Sequence, residues 1–297
     1  MMSEPGMLIR YACHAMGTQF EAFLSGQDRS HLDAVANVLW EKARSIEKLL
    51  SRFDPVSEIY RVNRLASRRP VRINFELMSI LQTCREYSEL TKGSFDVARD
   101  AQNRGADRSV QLDATKRTIR FCIDGTTLDF GGFGKGYALD RISELLTESG
   151  ITSALIHAGT SSILAMGDGP HGNGWPVAID DPFSQGMRAG QVSLSNCALS
   201  CSGVFRPGQE ISDIVDRTTG QALQAQSHCI VLAPSAAEAE ALSTACLAMG
   251  YERASVWATE HDMARCNIGF IDPPERSPRL RWISKNLAQS SVSLEAS

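Results

Sequence analysis

Residues 128–140, LDFGGFGKGYALD, have the types and the spacing that suit a phosphate ligand. A short apolar segment ends at Asp129, and a helix is predicted to start near Gly136. Between them lie three glycines and a lysine: Gly131, Gly132, Gly134 and Lys135. Glycines let the backbone pass close to a ligand and expose its N–H groups, and a helix N-terminus favours an anion. The segment therefore predicts a phosphate-rich ligand, and its acid is a candidate contact for a cation.

The common nucleotide-binding motifs do not fit this segment. A dinucleotide-binding loop needs glycines spaced G-x-G-x-x-G, whereas here they lie at 131, 132, 134 and 136. A P-loop needs serine or threonine after its lysine, and Lys135 is followed by Gly136. An ordinary strand-to-helix turn with a solvated lysine is the alternative, and the local pattern alone favours it.

The composition is that of a globular protein. The chain has 297 residues, 43% of them hydrophobic, which predicts one domain over 1–297 with room for two interleaved lobes. The formal net charge of −4 gives no electrostatic reason to expect nucleic acid as a partner. No apolar run approaches the roughly 20 residues of a membrane span. No secretory signal is visible, so the location stays open: it would be the cytoplasm unless a leader was removed or the chain is exported another way.

The eight cysteines are scattered, and none forms a C-x-x-C pair. A zinc site or a disulfide framework is therefore not expected. Cys122, Cys229 and Cys246 lie in apolar segments, which is typical of buried, reduced thiols.

Apolar spacing and chain-breaking residues predict the elements that must position the loop. Leu32, Val35 and Leu39 recur at helical spacing, which predicts an amphipathic helix over 31–50. Further helices are predicted over 74–92, 136–148 and 235–249, followed by Gly93, Gly150 and Gly250 respectively. Strands are predicted at 8–12, 18–24, 110–112, 118–123, 153–157, 162–166, 175–179, 191–194, 211–215 and 229–233.

The order of these elements decides the fold class. Strands and helices mix without a strict βαβ rhythm, which favours a compact α+β architecture with a substantial antiparallel sheet over a doubly wound sheet. The polar tail, 289–297, is expected to fray.

A second candidate site lies on the predicted helix after Ser235. Glu240 and Thr244 are four residues apart and share one face of that helix. A carboxylate and a hydroxyl can both give oxygen to a hard cation such as Mg²⁺. The alternative is an exposed glutamate and a threonine bonded back to its own helix, and taken alone that alternative is favoured.

Taken together, these segments resemble the ApbE-type FAD:protein FMN transferases, a family of flavin transferases. The resemblance follows the family's order through nearly the whole chain. Six segments carry it: MGT (16–18), SRFDPVSEIYRVN (51–63), GSFD (93–96), LDFGGFGKGYALD (128–140), SCSG (200–203) and AEALSTACLAMG (239–250). The segment at 128–140 matches the family pattern almost residue for residue.

The resemblance implies an activity and a fold. The activity would be Mg²⁺-dependent cleavage of the FAD pyrophosphate, in which FMN passes to a threonine or serine hydroxyl of an acceptor protein and AMP leaves. Catalysis would then rest on positioning and on neutralising phosphate charge. The implied fold is α+β with a T-fold-like core.

The resemblance also implies roles for individual residues. The flavin or adenine pocket would be lined by Met16, Phe53, Ser94, Phe95 and Asp96. Asp129 would hydrogen-bond the ligand, and Lys135 would lie near FAD. The carbonyl of Gly132 would bind the metal together with Glu240 and Thr244. Core packing is the alternative for each aromatic residue, and for Phe95 it is nearly as good.

The chain departs from the family pattern at positions close to the chemistry. The family's H-I-I-D-P-x-T-G is DIVDRTTG here, so Asp213 replaces a histidine thought to activate the acceptor hydroxyl. The family's metal-binding aspartate is Glu240, and Ala237 replaces a further acid. The family's N-x-G-G-D is HAGTSS at 157–162, without the acid. Three residues are candidate general bases: Asp213, His157 and His228.

These changes leave three functions open. The first is an active, divergent FMN transferase. The second is a Mg²⁺-dependent FAD pyrophosphatase that releases FMN and AMP to water. The third is an FAD-binding protein that has lost catalysis. Asp213 favours the third function, whereas Asp129, Lys135, Glu240 and Thr244 favour the first two.

Overall fold

The computed structural model describes residues 7–99, 109–184, 186–203, 215–216, 221–223, 227–263, 265–273, 280–283 and 294–295. An eight-stranded sheet lies at the centre of this part of the chain, and every neighbouring pair in it is antiparallel. Its strands, in spatial order, are β1 (Met7–Ala15), β2 (Thr18–Gly26), β8 (Ala154–Ala158), β9 (Ser162–Met166), β12 (Cys197–Gly203), β15 (His228–Ala233), β16 (Asn267–Ile271) and β17 (Leu280–Trp282).

Helices cover one face of the sheet. The described residues form the helices α1 (Arg29–Leu50), α2 (Glu58–Leu65), α3 (Phe75–Leu90), α4 (Gly134–Glu148) and α5 (Ala236–Glu260). The apolar sides of α1, α4 and α5 pack on the sheet and form the larger of two hydrophobic cores. No helix in the described ranges is both long and apolar enough to cross a bilayer.

A second, smaller core lies on the opposite face of the sheet. It is covered by β10 (Trp175–Asp180) and β11 (Arg188–Leu194), to which β18 (Leu294–Glu295) pairs. Along β15, Cys229 and Val231 belong to the helix-side core, whereas Ile230 and Leu232 belong to the smaller core. This alternation, which follows from the two-residue repeat of a strand, decides on which side of the sheet each polar side chain lies.

Short strands hold the loops around the glycine-rich segment. The three-stranded unit consists of β3 (Val71–Arg72), β6 (Thr118–Phe121) and β5 (Val110–Asp113). β4 (Ala98–Arg99) pairs with β7 (Thr127–Leu128), which leads directly into Asp129. β13 (Val215–Asp216) pairs with β14 (Gln221–Ala222).

The crossing of α4 and α5 is unusually close. A Cβ added to Gly136 would lie 2.3 Å from the carbonyl oxygen of Ala236, so only glycine fits on α4 at this point. Asp140, one turn further along α4, accepts hydrogen bonds from the N–H groups of Ala236 at 2.7 Å and Ala237 at 2.9 Å. A carboxylate of one helix thus caps the N-terminus of the other, where free N–H groups and the helix dipole favour an anion.

The predicted α+β architecture is confirmed, and the antiparallel pairing rules out the doubly wound alternative for the described sheet. The predicted helices and the predicted strands that fall on described residues are present within a few residues of their expected ends. The strand predicted at 211–215 lies outside the described residues except for Val215. Ser235 caps the N-terminus of α5, since its Oγ accepts from the N–H of Glu238 at 3.1 Å.

Several predicted details differ from the structure. Gly250, with φ 75°, interrupts the helical backbone as expected, but a second helical segment continues α5 to Glu260. The strand β12 was missed because its sequence, CALSCSG, carries too many small polar residues. Cys122 is exposed, whereas Cys229 and Cys246 are buried as predicted. Of the tail expected to fray, only Leu294–Glu295 is described.

Substituting Gly136 tests the helix crossing. Alanine would raise helix propensity by about 1 kcal/mol, but its methyl group would push α4 and α5 apart. Overpacking costs about 1–3 kcal/mol, and here the obstacle is rigid backbone, so we expect Gly136→Ala to destabilise the fold. Urea unfolding measures the change. Gly26→Ala is the matched control, because its methyl group would meet only the movable side chain of Leu32, and an equal loss in both variants would contradict the crossing argument.

Candidate active site

Hydrogen bonds from α2 and β4 hold the start of the glycine-rich loop. The side-chain amide of Asn63 donates to the carbonyl oxygen of Leu128 at 3.0 Å and accepts from its N–H at 2.8 Å. The N–H of Asp129 donates to the carbonyl oxygen of Val97 at 2.8 Å. The loop therefore leaves β7 from a fixed backbone position.

Asp129 lies between two guanidinium groups. Its Oδ2 is 3.4 Å from Nε of Arg52 and 3.6 Å from Nη2 of Arg99, and its Oδ1 accepts from the N–H of Gly131 at 3.0 Å. The carboxyl side chain is only 14% exposed. Its ionised form is thus oriented by neighbours on three separate segments, as a ligand-binding carboxylate must be.

Glu240 carries the most unusual electrostatic environment in the site. The residue is 3% exposed, and its Oε1 is 3.0 Å from Nζ of Lys135 and accepts from Oγ of Ser162 at 2.5 Å. Its Oε2 is buried and has no hydrogen-bond partner among the described residues. A buried carboxylate oxygen without a partner is costly, and a bound cation would relieve that cost.

The loop carrying Gly132 passes directly over Thr244. A Cβ at Gly132 would lie 2.9 Å from Oγ1 of Thr244, so the glycine permits this approach. The structure therefore brings Gly132, Lys135, Glu240 and Thr244 together, as the sequence predicted. The described residues contain no group of three or more His, Cys, Asp or Glu side chains suited to a metal. A cation here would depend on one carboxylate, a hydroxyl and backbone oxygen, a ligand set that suits Mg²⁺.

Hydroxyl groups of the sheet line the other side of Glu240. Ser243 lies within 3.1 Å of Ser200 and 2.8 Å of Ser202, measured between hydroxyl oxygens. Ser202 Oγ is 3.4 Å from Oγ1 of Thr244, which joins this network to the candidate cation site. Ser200, Ser202 and Ser243 stand in segments quoted for the family resemblance, but their role in holding the site was not predicted.

Met16 and Phe53 lie beside the loop. Met16 occupies the turn between β1 and β2 with φ 53°, and a Cβ on Gly134 would lie 3.2 Å from its methyl group. Phe53 is 76% exposed, with the guanidinium of Arg52 stacked 4.4 Å from its ring centre. An exposed ring next to the group that pairs with Asp129 is free to stack on a planar ligand.

The turn after α3 packs against Phe133 of the glycine-rich segment through Phe95. The ring of Phe95 is 2% exposed and packs between Tyr87 and Phe133, so the core-packing alternative describes this side chain. Asp96 accepts from Oγ of Ser88 at 3.3 Å and from the N–H of Ala98 at 2.8 Å. The N–H of Ser94 donates to the carbonyl oxygen of Thr91 at 3.0 Å. Ser94, Phe95 and Asp96 thus contact α3, Phe133 and their own turn.

Comparison with known proteins bears on this arrangement. A family model with the description "ApbE family" matches residues 16–267. This chain belongs to the ApbE family. It is 28% identical over 274 residues to the FAD:protein FMN transferase of Treponema pallidum, covering 77% of this chain and 75% of that protein. It is 24% identical over 283 residues to that of Klebsiella pneumoniae, with 84% and 81% covered.

Solved ApbE structures share the fold. The flavin transferase ApbE from Vibrio cholerae superposes with a TM-score of 0.81 at 19% identity, covering 96% of this chain and all of that one. The ApbE protein from Thermotoga maritima gives a TM-score of 0.78 at 20% identity over 89% of this chain and 94% of that one. At such identities the likeness concerns the fold alone.

Two of the candidate general bases of this ApbE-family chain, His157 and His228, lie on the opposite side of the sheet from Glu240 and Thr244. His157 alternates with Ile156 and Ala158 of the helix-side core, and its ring contacts Phe23 on the opposite face. His228 packs edge-on against Phe183 and over Gly203, also on that face. Glu240 and Thr244 lie on the helix side, so both histidines are across the sheet from the candidate cation site, which argues against their role as the base. Asp213 lies outside the described residues.

Ser162 is a site residue that sequence reasoning did not single out. It lies in the segment that replaces the N-x-G-G-D pattern of the ApbE family, and it donates to Glu240 at the position where the family pattern has aspartate. The sequence shows two departures from the family pattern: the acid missing from 157–162 and the glutamate at 240 in place of aspartate. Only the tertiary structure shows that these two positions are in contact. Arg52 and Asn63 lie in the motif at 51–63, but sequence reasoning assigned them no role in holding Asp129 and Leu128.

Removing the hydroxyl of Ser162 should destabilise the metal-free protein. A hydrogen bond to a buried charged group contributes about 1.5–3 kcal/mol, so Ser162→Ala is expected to lower the free energy of unfolding by about 2 kcal/mol. Urea unfolding without divalent cations measures it. Ser161→Ala is the control, because in the described part of the chain the hydrogen bond of Ser161 Oγ is to Ser162 and not to Glu240. Equal stability of the two variants would show that the contact to Glu240 contributes nothing.

The two buried histidines predict a pH effect on stability. Burial lowers the pKa of His157 and of His228 from the usual value of about 6.5, outweighing the opposite effects of Glu21 and Asp181. Below that pH the unfolded chain binds more protons than the folded one, so stability falls as pH drops through 6.5 and levels off below the folded pKa values.

The double variant His157→Gln/His228→Gln should therefore lose less stability between neutral and mildly acidic pH than the parent protein. The measurement is the urea midpoint across a pH series. Exposed His171→Gln is the control and should keep the parental slope. An unchanged slope in the double variant would mean that other groups cause the acid sensitivity.

Proposed function

We propose that this ApbE-family chain transfers FMN from FAD to a threonine or serine hydroxyl of an acceptor protein, using Mg²⁺ and releasing AMP. The main observation behind this proposal is that Oε2 of Glu240 is buried without a hydrogen-bond partner among the described residues, while Oε1 contacts Lys135 and Ser162. The relatives named FAD:protein FMN transferase support the reaction class.

The glycine-rich loop would bind the FAD phosphates. α4 begins at Gly134 with no side-chain cap, so the N–H groups of its first turn are available to an anion. Lys135 adds a positive charge in that turn, and its side chain is 21% exposed. Asp129 and Phe53 would contact the rest of the ligand, the first by hydrogen bonding and the second by stacking.

The metal would be held by the Gly132 carbonyl, Thr244 and Glu240. Bound there, Mg²⁺ would neutralise charge on the phosphates that separate in the reaction. Ser162 fixes the carboxylate through Oε1, which leaves Oε2 for the cation. Lys135 pairs with Glu240 in the metal-free chain and would turn its ammonium to a phosphate when FAD is present.

The transfer needs an acceptor hydroxyl and a base. The hydroxyl oxygen forms a bond to the phosphorus of the FMN half, the pyrophosphate bond breaks, AMP leaves with the bridging oxygen, and the hydroxyl proton passes to a base. Asp213 remains the predicted base. An ordinary carboxylate is a weak base near pH 7, so burial or a nearby anion would have to raise its pKa for this task.

Replacing Glu240 tests the role of the carboxylate. Glu240→Gln keeps the size of the side chain and removes its charge, so AMP release from FAD with Mg²⁺ and acceptor should fall on the order of 100-fold. Glu252→Gln, an exposed residue of the same helix, should leave the rate unchanged. Equal rates in the parent protein and both variants would contradict the proposed cation site.

The same assay separates the three candidate functions. AMP that appears only with an acceptor supports transfer. AMP released without an acceptor supports hydrolysis, and FAD recovered intact supports binding alone. Either of the last two results would overturn the proposed transfer reaction.

A further inference from the structure

A groove of about 940 Å³ lies beside the 51–57 segment, which lines it with Pro55, Val56 and Ser57. It is bounded by α1, α2, the start of α3 and the turn before β6. None of the residues predicted to bind FAD or metal lines it. We call it the basic groove, because five cationic side chains line it: Lys48, Arg61, Arg64, Arg72 and Arg117.

The acids of the basic groove are already engaged. Glu58 accepts from the N–H of Asn74 at 2.9 Å and from its amide nitrogen at 2.8 Å, and Arg61 lies 3.5 Å from it. Glu76 accepts from Nζ of Lys42 and from the hydroxyl of Tyr137, each at 3.0 Å. Against these two carboxylates the groove has five cationic side chains, so its lining keeps an excess of three positive charges.

Most of the cationic side chains, by contrast, have no carboxylate as an ion-pair partner among the described residues. No acidic side chain of the described residues is in ion-pair contact with Lys48, Arg72 or Arg117, and Arg64 lies over the ring of Tyr60 at 5.8 Å. The chain as a whole has a formal net charge of −4. A concentrated positive surface on a negative protein attracts an anionic partner and orients it on approach.

Apolar side chains stand exposed at the same place. Val56 lines the groove and is 80% exposed, and Phe75, between the lining residues Asn74 and Glu76, is 74% exposed. Exposed aromatic and aliphatic side chains beside arginines are typical of protein-binding surfaces. A small anion such as phosphate would make no use of these two side chains.

The groove and the candidate active site are linked through two shared segments of the chain. Arg52 pairs with Asp129, and Pro55, three residues later, lines the groove. On α2, Asn63 holds Leu128 of the glycine-rich segment, whereas its neighbour Arg64 lines the groove. The 51–57 segment and α2 thus each carry residues of both the groove and the candidate active site.

We propose that the basic groove docks an acidic segment of the acceptor protein that also carries apolar side chains. This inference rests on the proposed function, because a transferase must hold its acceptor next to FAD. The positive lining selects the charge of the segment, and Val56 and Phe75 receive its apolar groups. The 51–57 segment contributes residues to both docking and chemistry.

Peptide binding tests the proposal without knowledge of the natural acceptor. The probe is a short fluorescein-labelled peptide in which glutamate alternates with leucine and threonine, and its binding is followed by fluorescence anisotropy. A peptide with lysine in place of glutamate and an oligothymidylate of equal negative charge are compared with it. FAD affinity is measured in parallel from the quenching of flavin fluorescence.

Charge reversal in the groove supplies the decisive comparison. Arg64→Glu/Arg117→Glu should weaken binding of the acidic peptide by about tenfold or more, and binding by the parent protein should weaken with added salt. Arg29→Glu/Arg188→Glu makes the same change of charge at exposed positions away from the groove and should bind the peptide like the parent. FAD affinity should be equal in all three proteins. Lys48→Glu on the surface of α1 provides a second variant if the first does not fold.

Three results would overturn the proposal. They are undiminished peptide binding by the groove variants, equal binding of the lysine peptide, and tighter binding of the oligothymidylate than of the acidic peptide. Failure of the parent protein to bind FAD would count against the proposed function instead, since peptide binding needs only the groove.

Discussion

The contact between α4 and α5 determines the rest of the site. On α5, Ala236, Glu240 and Thr244 are one turn apart and share a face. Ala236 meets Gly136, Glu240 pairs with Lys135, and Thr244 lies against Gly132. A single helix crossing therefore places the ion pair and the threonine hydroxyl beside the glycine-rich loop. Asp140 locks the crossing by capping α5 through two backbone N–H groups. Every candidate metal ligand therefore depends on how closely these helices approach.

The same contact explains how a buried carboxylate is tolerated. Glu240 is desolvated, and an isolated ionised carboxylate in that position would be strongly destabilising. Lys135 and Ser162 stabilise one oxygen and leave the other without a partner. The longer side chain of glutamate reaches β9 at Ser162, a segment where the family pattern has an acid. The two departures from the pattern thus compensate for each other in space.

The central sheet divides the polar residues into two groups. Ser162, Ser200 and Ser202 face the helices and join the site, whereas His157 and His228 face β10 and β11. Strand alternation fixes this division, and a shift of one residue would exchange the two groups. Sequence reasoning named the histidines because imidazole suits a base, but residue type carries no information about the side of a sheet. The β12 strand was missed for a related reason, since its small polar residues conceal a central position.

The sequence by itself determined the local features of this protein. It predicted the helices and most strands, because helical spacing and chain-breaking residues are encoded over short stretches. The family resemblance, carried by an ordered set of motifs, implied that Gly132, Lys135, Glu240 and Thr244 share one site. Only the tertiary structure decided what those groups touch. The pairing of Ser162 with Glu240 joins residues 78 positions apart, and the cap from Asp140 to Ala236 joins residues 96 apart. Such contacts arise when the sheet and helices pack together, because close packing selects distant partners by shape and charge.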